Sequence, residues 1–229
     1  NTSPVPLQPL QTPQKGTPFT IGWVGDTGDG NAVSRAFAHR RSLLELLLPA
    51  LEKLDFPMRL VLIGVKRPSD VQLFQRMAET LPRVALVVPT DLDWQADDWL
   101  YPKIGQFDVG VSPLVDHPFN QAKSAFKAKQ YLACGVPVVG SAVGENSAFV
   151  RQGVDGFLGT SIDDLAVGIA AIEALSEKEY AAFARAAQVG ARDFSVARYV
   201  ARWRALWEGT LPLCLGDAPT TALKVSSSH

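Results

Sequence analysis

The chain has 229 residues, 47% hydrophobic and 20% charged, with a formal net charge of -1. Near-neutral charge argues against a general nucleic-acid binder, which carries a basic excess. The hydrophobic content suits one large packed domain or two small ones. No apolar run reaches the roughly 18 residues of a membrane span and no signal peptide is visible, so a cytoplasmic setting is expected. The two cysteines, Cys134 and Cys214, lack metal-ligand spacing, and His39, His117 and His229 form no cluster. A disulfide framework and a zinc site are therefore not expected, and Cys134 reads as core. The chain starts Asn-Thr-Ser rather than with Met, which reads as a piece of a longer polypeptide.

Residues 1–18 carry Pro4, Pro6, Pro9, Pro13 and Pro18 and read as an extended linker outside any core. Short apolar strands are predicted at 19–24, 59–63, 84–88, 107–112, 137–140 and 156–158. Helical spacing is predicted at 42–54, 71–81, 97–104, 124–134, 146–152 and 162–175. Two further helices, 176–193 and 195–209, follow good capping residues, with Glu179 in capping-box position after Ser176. Strands buried on both faces and alternating with helices define an α/β fold, a Rossmann-like doubly wound parallel sheet of about six strands with extra C-terminal helices. The expected division is a linker over 1–18, one domain over 19–210 and a loose tail over 211–229.

The loop after the first strand holds Gly25, Gly28 and Gly30 around Asp26 and Asp29. It is neither a P-loop nor G-x-G-x-x-G, and it reads equally as a phosphate-approach loop or a plain turn. The segment 120–140 is more informative. Lys123, Ser124 and Lys127 open an amphipathic helix that stops at Gly135, and the buried strand Val136 to Val139 follows. A helix start at the carboxyl edge of a parallel sheet is where α/β proteins hold phosphate groups, by amide groups, dipole and basic side chains. Lys123 and Lys127, four apart, share one helix face. The plain alternative for Lys123, Lys127 and Lys129 is a solvated helix face, and Lys129 is expected to point to solvent. Arg35, His39, Arg40 and Arg41 are either surface charge or the source of one phosphate ligand. Trp23, Trp203 and Trp207 read as packing residues, and Lys66-Arg67 as a surface turn.

Lys123-Ser-Ala-Phe-Lys-Ala-Lys-Gln-Tyr-Leu-Ala-Cys-Gly-Val-Pro-Val-Val139 resembles the donor-binding segment of family 4 (group 1) glycosyltransferases with the GT-B fold. Ile21 to Gly25 resembles that family's first strand in the C-terminal domain. Phe107 to Leu114 resembles the strand before the motif, and Gly144-Glu-Asn146 to Gly156-Phe-Leu158 resembles the glycine-containing loop and strand after it. The likeness spans about residues 19 to 210. It implies the C-terminal half of a GT-B fold, which binds a nucleotide-diphosphate sugar while a separate N-terminal domain binds the acceptor. No such domain precedes residue 19, so residues 1–18 resemble the interdomain linker.

The family's Glu-x7-Glu pair falls on Ala122 and Gln130, and neither is a carboxylate. Gln130 can still accept from a ribose hydroxyl; Ala122 cannot touch a sugar. The resemblance implies nucleotide-sugar binding by Lys127, Ser124, Lys123, Gln130 and Phe126, with Gly25 and either Arg40 or Arg41 beside the phosphates. The loop at 88–92 is the candidate for the nucleobase. The implied activity is retaining transfer of a sugar to a glycan or lipid-linked acceptor, in polysaccharide synthesis at the inner face of a membrane. No metal or other cofactor is implied, and the isolated fragment is expected to be inactive. Two alternatives stand: a non-catalytic nucleotide-binding or scaffold domain of the same fold, and a metal-dependent GT-A-type transferase using Asp91 and Asp93.

Overall fold

The computed structural model describes residues 4–9, 15–28, 37–91 and 97–209. Asp29, Gly30, Arg35, Leu92, Asp93, Cys214, His229 and the tail expected over 211–229 lie outside the described residues. Strands β1 Phe19–Val24, β2 Met58–Ile63, β3 Val84–Val87, β4 Val109–Ser112, β5 Val138–Ser141 and β6 Gly156–Gly159 form one sheet. Its order is β3-β2-β1-β4-β5-β6, and every neighbouring pair is parallel. The chain thus runs outward one way from β1, then returns to β4 and runs outward the other way. Such a reversal leaves a crevice at the carboxyl ends of β1 and β4, where open α/β sheets bind ligands.

Helix α1 covers residues 39 to 52, as an α turn His39–Ser42, a π-helical Leu43–Leu47 and an α turn Leu48–Glu52. Pro49 lacks an N–H and would collide with the carbonyl of Glu45 in a regular helix; the wider π turn makes room for it. The other helices are α2 Pro68–Glu79, α3 Asp97–Ile104, α4 Pro118–Gln121, α5 Phe126–Ala133, α6 Asn146–Phe149, α7 Ile162–Glu173, α8 Glu177–Ala191 and α9 Val196–Trp207. The predicted capping box of α8 is present, since Ser176 and Glu179 each bond the other's backbone amide.

Alternation along the strands divides the core in two. Trp23, Leu60 and Leu62 face α1 and α7 through Leu43, Leu47, Leu51, Ile169 and Ile172. Val24 and Ile63 point to the other side, with Tyr101, Ile104, Tyr131, Leu132 and Ala187. β1, β4 and β5 are buried throughout, as predicted. β3 is not: Ala85 and Val87 are exposed, because it is the sheet's edge and one face is left uncovered.

Two readings of the chain ends need correction. Val5 is fully buried and its amide donates to the Phe194 carbonyl, so part of the proline-rich segment is packed into the core. Gln8 is tied to Ala133 and Gln188, and Gly16 donates to the Asp108 carboxylate. Trp203 and Trp207 are not core residues: they are 58% and 91% exposed on α9, which buries none of its residues.

Candidate functional site

The β1–β4 register spans Ile21↔Val109 and Gly22↔Gly110. Beyond it, Tyr131 of α5 enters between the strands. Its hydroxyl accepts from the Val24 amide at 2.9 Å and donates to the Val111 carbonyl at 3.4 Å. The phenol is fully buried, and burial raises its pKa above the usual value. This one side chain fixes α5 against both strands at the mouth of the crevice. Tyr131→Phe leaves the buried Val24 amide without an acceptor and is expected to cost about 1–3 kcal/mol in denaturant unfolding. A loss below about 0.5 kcal/mol, the ordinary surface-substitution range, would show that the bridge is not holding the strands.

The turn into α5 is strained. Ala125 is left-handed at φ 51°, the described residues' one positive φ outside glycine, and is buried. It caps α5 without any side-chain hydrogen bond, so the first-turn amides of α5 have neither an intrahelical nor a capping partner. A non-glycine residue in this conformation costs of order 1–2 kcal/mol and is held by its surroundings. Asn120 Nδ2 donates to the Val115 carbonyl, Ser141 Oγ accepts from the Leu114 amide, and Ser42 Oγ accepts from the Val115 amide. Gly144 lies over the same turn, its missing Cβ leaving 2.7 Å to the Asn120 carbonyl oxygen.

Lys123 and Lys127 converge there. Lys127 Nζ lies 2.7 Å and Lys123 Nζ 3.2 Å from Nε2 of His39, at the start of α1. Trp23 is the floor: its ring stands edge-on to the imidazole with centroids 5.8 Å apart, and Lys127 Nζ is 5.8 Å above it. Gly25 is here because a Cβ would come within 2.7 Å of Lys127 Cε. Burial, then the neighbouring ammonium of Lys123, lowers Lys127 to about 7. Burial lowers Lys123 to about 8. Burial, followed by the charges of Lys127 and Lys123, pushes His39 down to about 2, so the imidazole is neutral. Among the described residues no carboxylate pairs with either lysine. The result is a positive, charge-uncompensated cluster beside free helix amides, which is what an anion requires.

The other residues singled out from sequence divide. Ser124 and Gln130 flank Lys127 on the α5 turn, Ser124 half-buried and Gln130 buried. Phe126 is 42% exposed at the first position of the helix. The two arginines are committed elsewhere. Arg40 is ion-paired at 3.3 Å with buried Asp70, which also holds Arg67 and the Thr27 hydroxyl. Arg41 lies on the exposed side of α1 with its Nε on Glu45. The cation-facing position of α1 belongs to His39, whose place at the helix start after β1 was its sequence signal. Lys129 is not solvated: it is fully buried, with Nζ 4.6 Å from the Phe149 ring centroid and no hydrogen-bond partner. Two residues on from Lys127 is roughly 200° round the helix, so the two ammonium groups leave α5 on opposite sides. Asp91 accepts from Trp99 Nε1 and Lys103 Nζ, each at 3.3 Å, and is joined to α3.

The family description "Glycosyl transferases group 1" matches residues 31–177, more than half of the chain. The chain belongs to the group 1 glycosyltransferases, and its fold is the Rossmann-like α/β fold of the C-terminal half of GT-B structures. It is similar to HepE of Anabaena in complex with UDP-glucose, at 20% identity and TM-score 0.59 over 84% of this chain and 49% of that one. It is also similar to sucrose-phosphate synthase from Thermosynechococcus elongatus, at 21% identity and TM-score 0.63 over 84% and 45%. A glycosyltransferase from Rickettsia africae matches at 14% identity and TM-score 0.61, over 83% and 47%. The chain therefore spans about half the length of these solved structures. No curated protein matches it. Among the described residues no helix is long and apolar enough to cross a membrane.

Proposed function

We propose that this chain is the donor-binding half of a retaining glycosyltransferase, and that it holds the diphosphate of a nucleotide-activated sugar between the start of α5 and His39. The observation that carries this reading is the meeting of Lys123 and Lys127 with no carboxylate beside them, at an uncapped helix start on the sheet's switch point. Amides and ammonium groups aimed at the leaving diphosphate stabilise the charge that develops as the sugar–phosphate bond breaks, without a metal. Ser124, Phe126 and Gln130 complete the site in this reading, with Gln130 accepting from ribose through its amide oxygen. In this reading residues 1–18 lead to a domain that binds a glycan or lipid-linked acceptor, and the enzyme works at the cytoplasmic face of a membrane. The donor domain is then residues 19–210 together with the part of 1–18 packed on it, and 211–229 a tail.

Calorimetric titration with UDP, GDP, dTDP and ADP tests the proposal. One of them should bind, and binding to none would sink it. The UDP complexes of HepE make UDP the first to try. The pH dependence has a definite sign. A bound phosphate favours the lysine ammonium, and Lys127 begins from about 7 in the free protein. Affinity is therefore full below about pH 7 and falls as pH rises through 7 to 9, with proton uptake on binding over that interval. A nucleoside-diphosphate sugar, whose phosphates do not titrate there, isolates the lysines.

A further inference from the structure

We propose that His39 is a positioning residue of this anion site: its unprotonated Nε2 is the shared acceptor that holds the Lys123 and Lys127 ammonium groups side by side. The inference rests on the donor-site reading for its purpose, but on the geometry alone for its substance. An ammonium has hydrogens and no lone pair, so while both lysines are protonated the contacts at 2.7 and 3.2 Å are donated to Nε2. The ring proton then resides on Nδ1, which is buried and has no hydrogen-bond partner. An orphaned buried donor is rare and calls for a reason, which here is the use of the other nitrogen.

The choice of an imidazole is itself informative. Two like charges this close need an acceptor, and a carboxylate would serve. It would also cancel their charge and compete with an incoming anion. A neutral ring nitrogen accepts the same hydrogen bonds and leaves the positive field intact. The surrounding charges are arranged to the same effect. On α1, Arg40 and Arg41 are occupied by Asp70 and Glu45. After β1, Asp26 is paired with Lys66. On the loop before α5, His117 accepts from the Phe119 amide through Nδ1, and Lys123 Nζ stands 5.4 Å from the Phe119 ring centroid. Asp70, Glu45 and Asp26 are thus held by other cations, and Asp116 accepts from the Gln121 side-chain amide. Glu145, whose own amide donates to the Lys123 carbonyl, acts on Lys129. No carboxylate among the described residues is paired with either lysine of the cluster.

The test follows lysine ε-carbon shifts and the His39 ring-nitrogen shifts by NMR against pH in the free protein, with UDP and inorganic pyrophosphate titrated in parallel. Wild type should show Lys127 titrating near neutrality and His39 carrying its proton on Nδ1 below that midpoint. His39→Leu should lower the Lys127 midpoint by about one pH unit, because an ammonium loses its acceptor, and weaken UDP by about tenfold. His39→Gln, which keeps a neutral acceptor, should stay within about threefold of wild type. His39→Glu should raise the lysine midpoints yet lose anion binding, the pattern that separates a neutral acceptor from a mere spacer. A His39 proton on Nε2 in wild type below that midpoint, or an unmoved Lys127 midpoint in His39→Leu, overturns the proposal. Wild type that binds neither ligand while the midpoints still move would refute the donor reading and leave the positioning role standing. The tautomer measurement needs no variant, so it decides the matter even if His39→Leu does not fold.

Discussion

Lys127→Met should lose donor binding and, at the same time, make the empty domain more stable. The binding half follows from the charge-assisted contact between an ammonium and a phosphate, worth about 1.5–3 kcal/mol, or roughly 10- to 150-fold in Kd. The stability half follows from burial. Lys127 falls from 10.5 to about 7 on folding, so between these values the unfolded chain binds more protons than the folded one. Unfolding free energy from this group therefore rises with pH over that window, and the penalty is fully present below about 7. Methionine fills a similar volume without the charge, while Lys123 still occupies His39. Allowing for the partial exposure of Lys127, the gain at pH 7 is about 1–2 kcal/mol. Thermal melts of both proteins at neutral pH and near pH 10 would measure it, and the difference should shrink at the higher pH. A variant no more stable than wild type at pH 7 would show that the ammonium is comfortably solvated in the empty site. Its loss of binding would then need another cause.

The parts of the site legible in the sequence are those fixed by local pattern. The run Tyr131 to Val139 reads as helix, stop and buried strand because Gly135, at φ 72°, must end the helix and Val138 and Val139 must lie in the sheet's centre. Lys127 follows from its place one turn before Tyr131. What local pattern cannot carry is the direction in which a side chain leaves a helix once neighbours close around it. Lys129 has the composition of a surface residue, yet α6 brings Phe149 over it. Arg40 and Arg41 have the charge expected of a phosphate ligand, but Asp70 and Glu45 lie nearer to hand. His39 was one of four basic residues in a row of candidates. Its role needed the fold to bring residues 39 and 127 to 2.7 Å. The exposed Trp203 and Trp207 make the converse case: an apolar stripe predicts burial, but not that the covering surface belongs to these residues.

Gly110→Ala should be among the most damaging single-methyl changes in the domain, and its damage should reach the anion site. Gly110 pairs with Gly22 at the centre of the sheet, where both strands lie under aromatic rings. A Cβ on Gly110 would stand 2.4 Å from two ring carbons of Tyr131, far inside contact distance. The ring has nowhere to go, since Phe107 packs edge-on at 6.3 Å and the hydroxyl is bound to Val24 and Val111. Relief requires α5 to lift from the sheet and carry Lys127 away from His39. Overpacking of this kind costs about 1–3 kcal/mol, and losing the two hydroxyl contacts adds to it, for an expected total of about 3–4 kcal/mol. Gly153→Ala is the control, because φ there is 70° but nothing lies within 4 Å of the new Cβ, so it reports backbone strain alone, about 1 kcal/mol. The decisive comparison is a double-mutant cycle with Tyr131→Ala. If the glycine exists to admit the ring, Gly110→Ala should cost far less once the ring is gone, with a coupling of about 1–3 kcal/mol. Additive losses would mean that the methyl group is felt through the backbone of β4 instead, and that α5 is not seated by this contact.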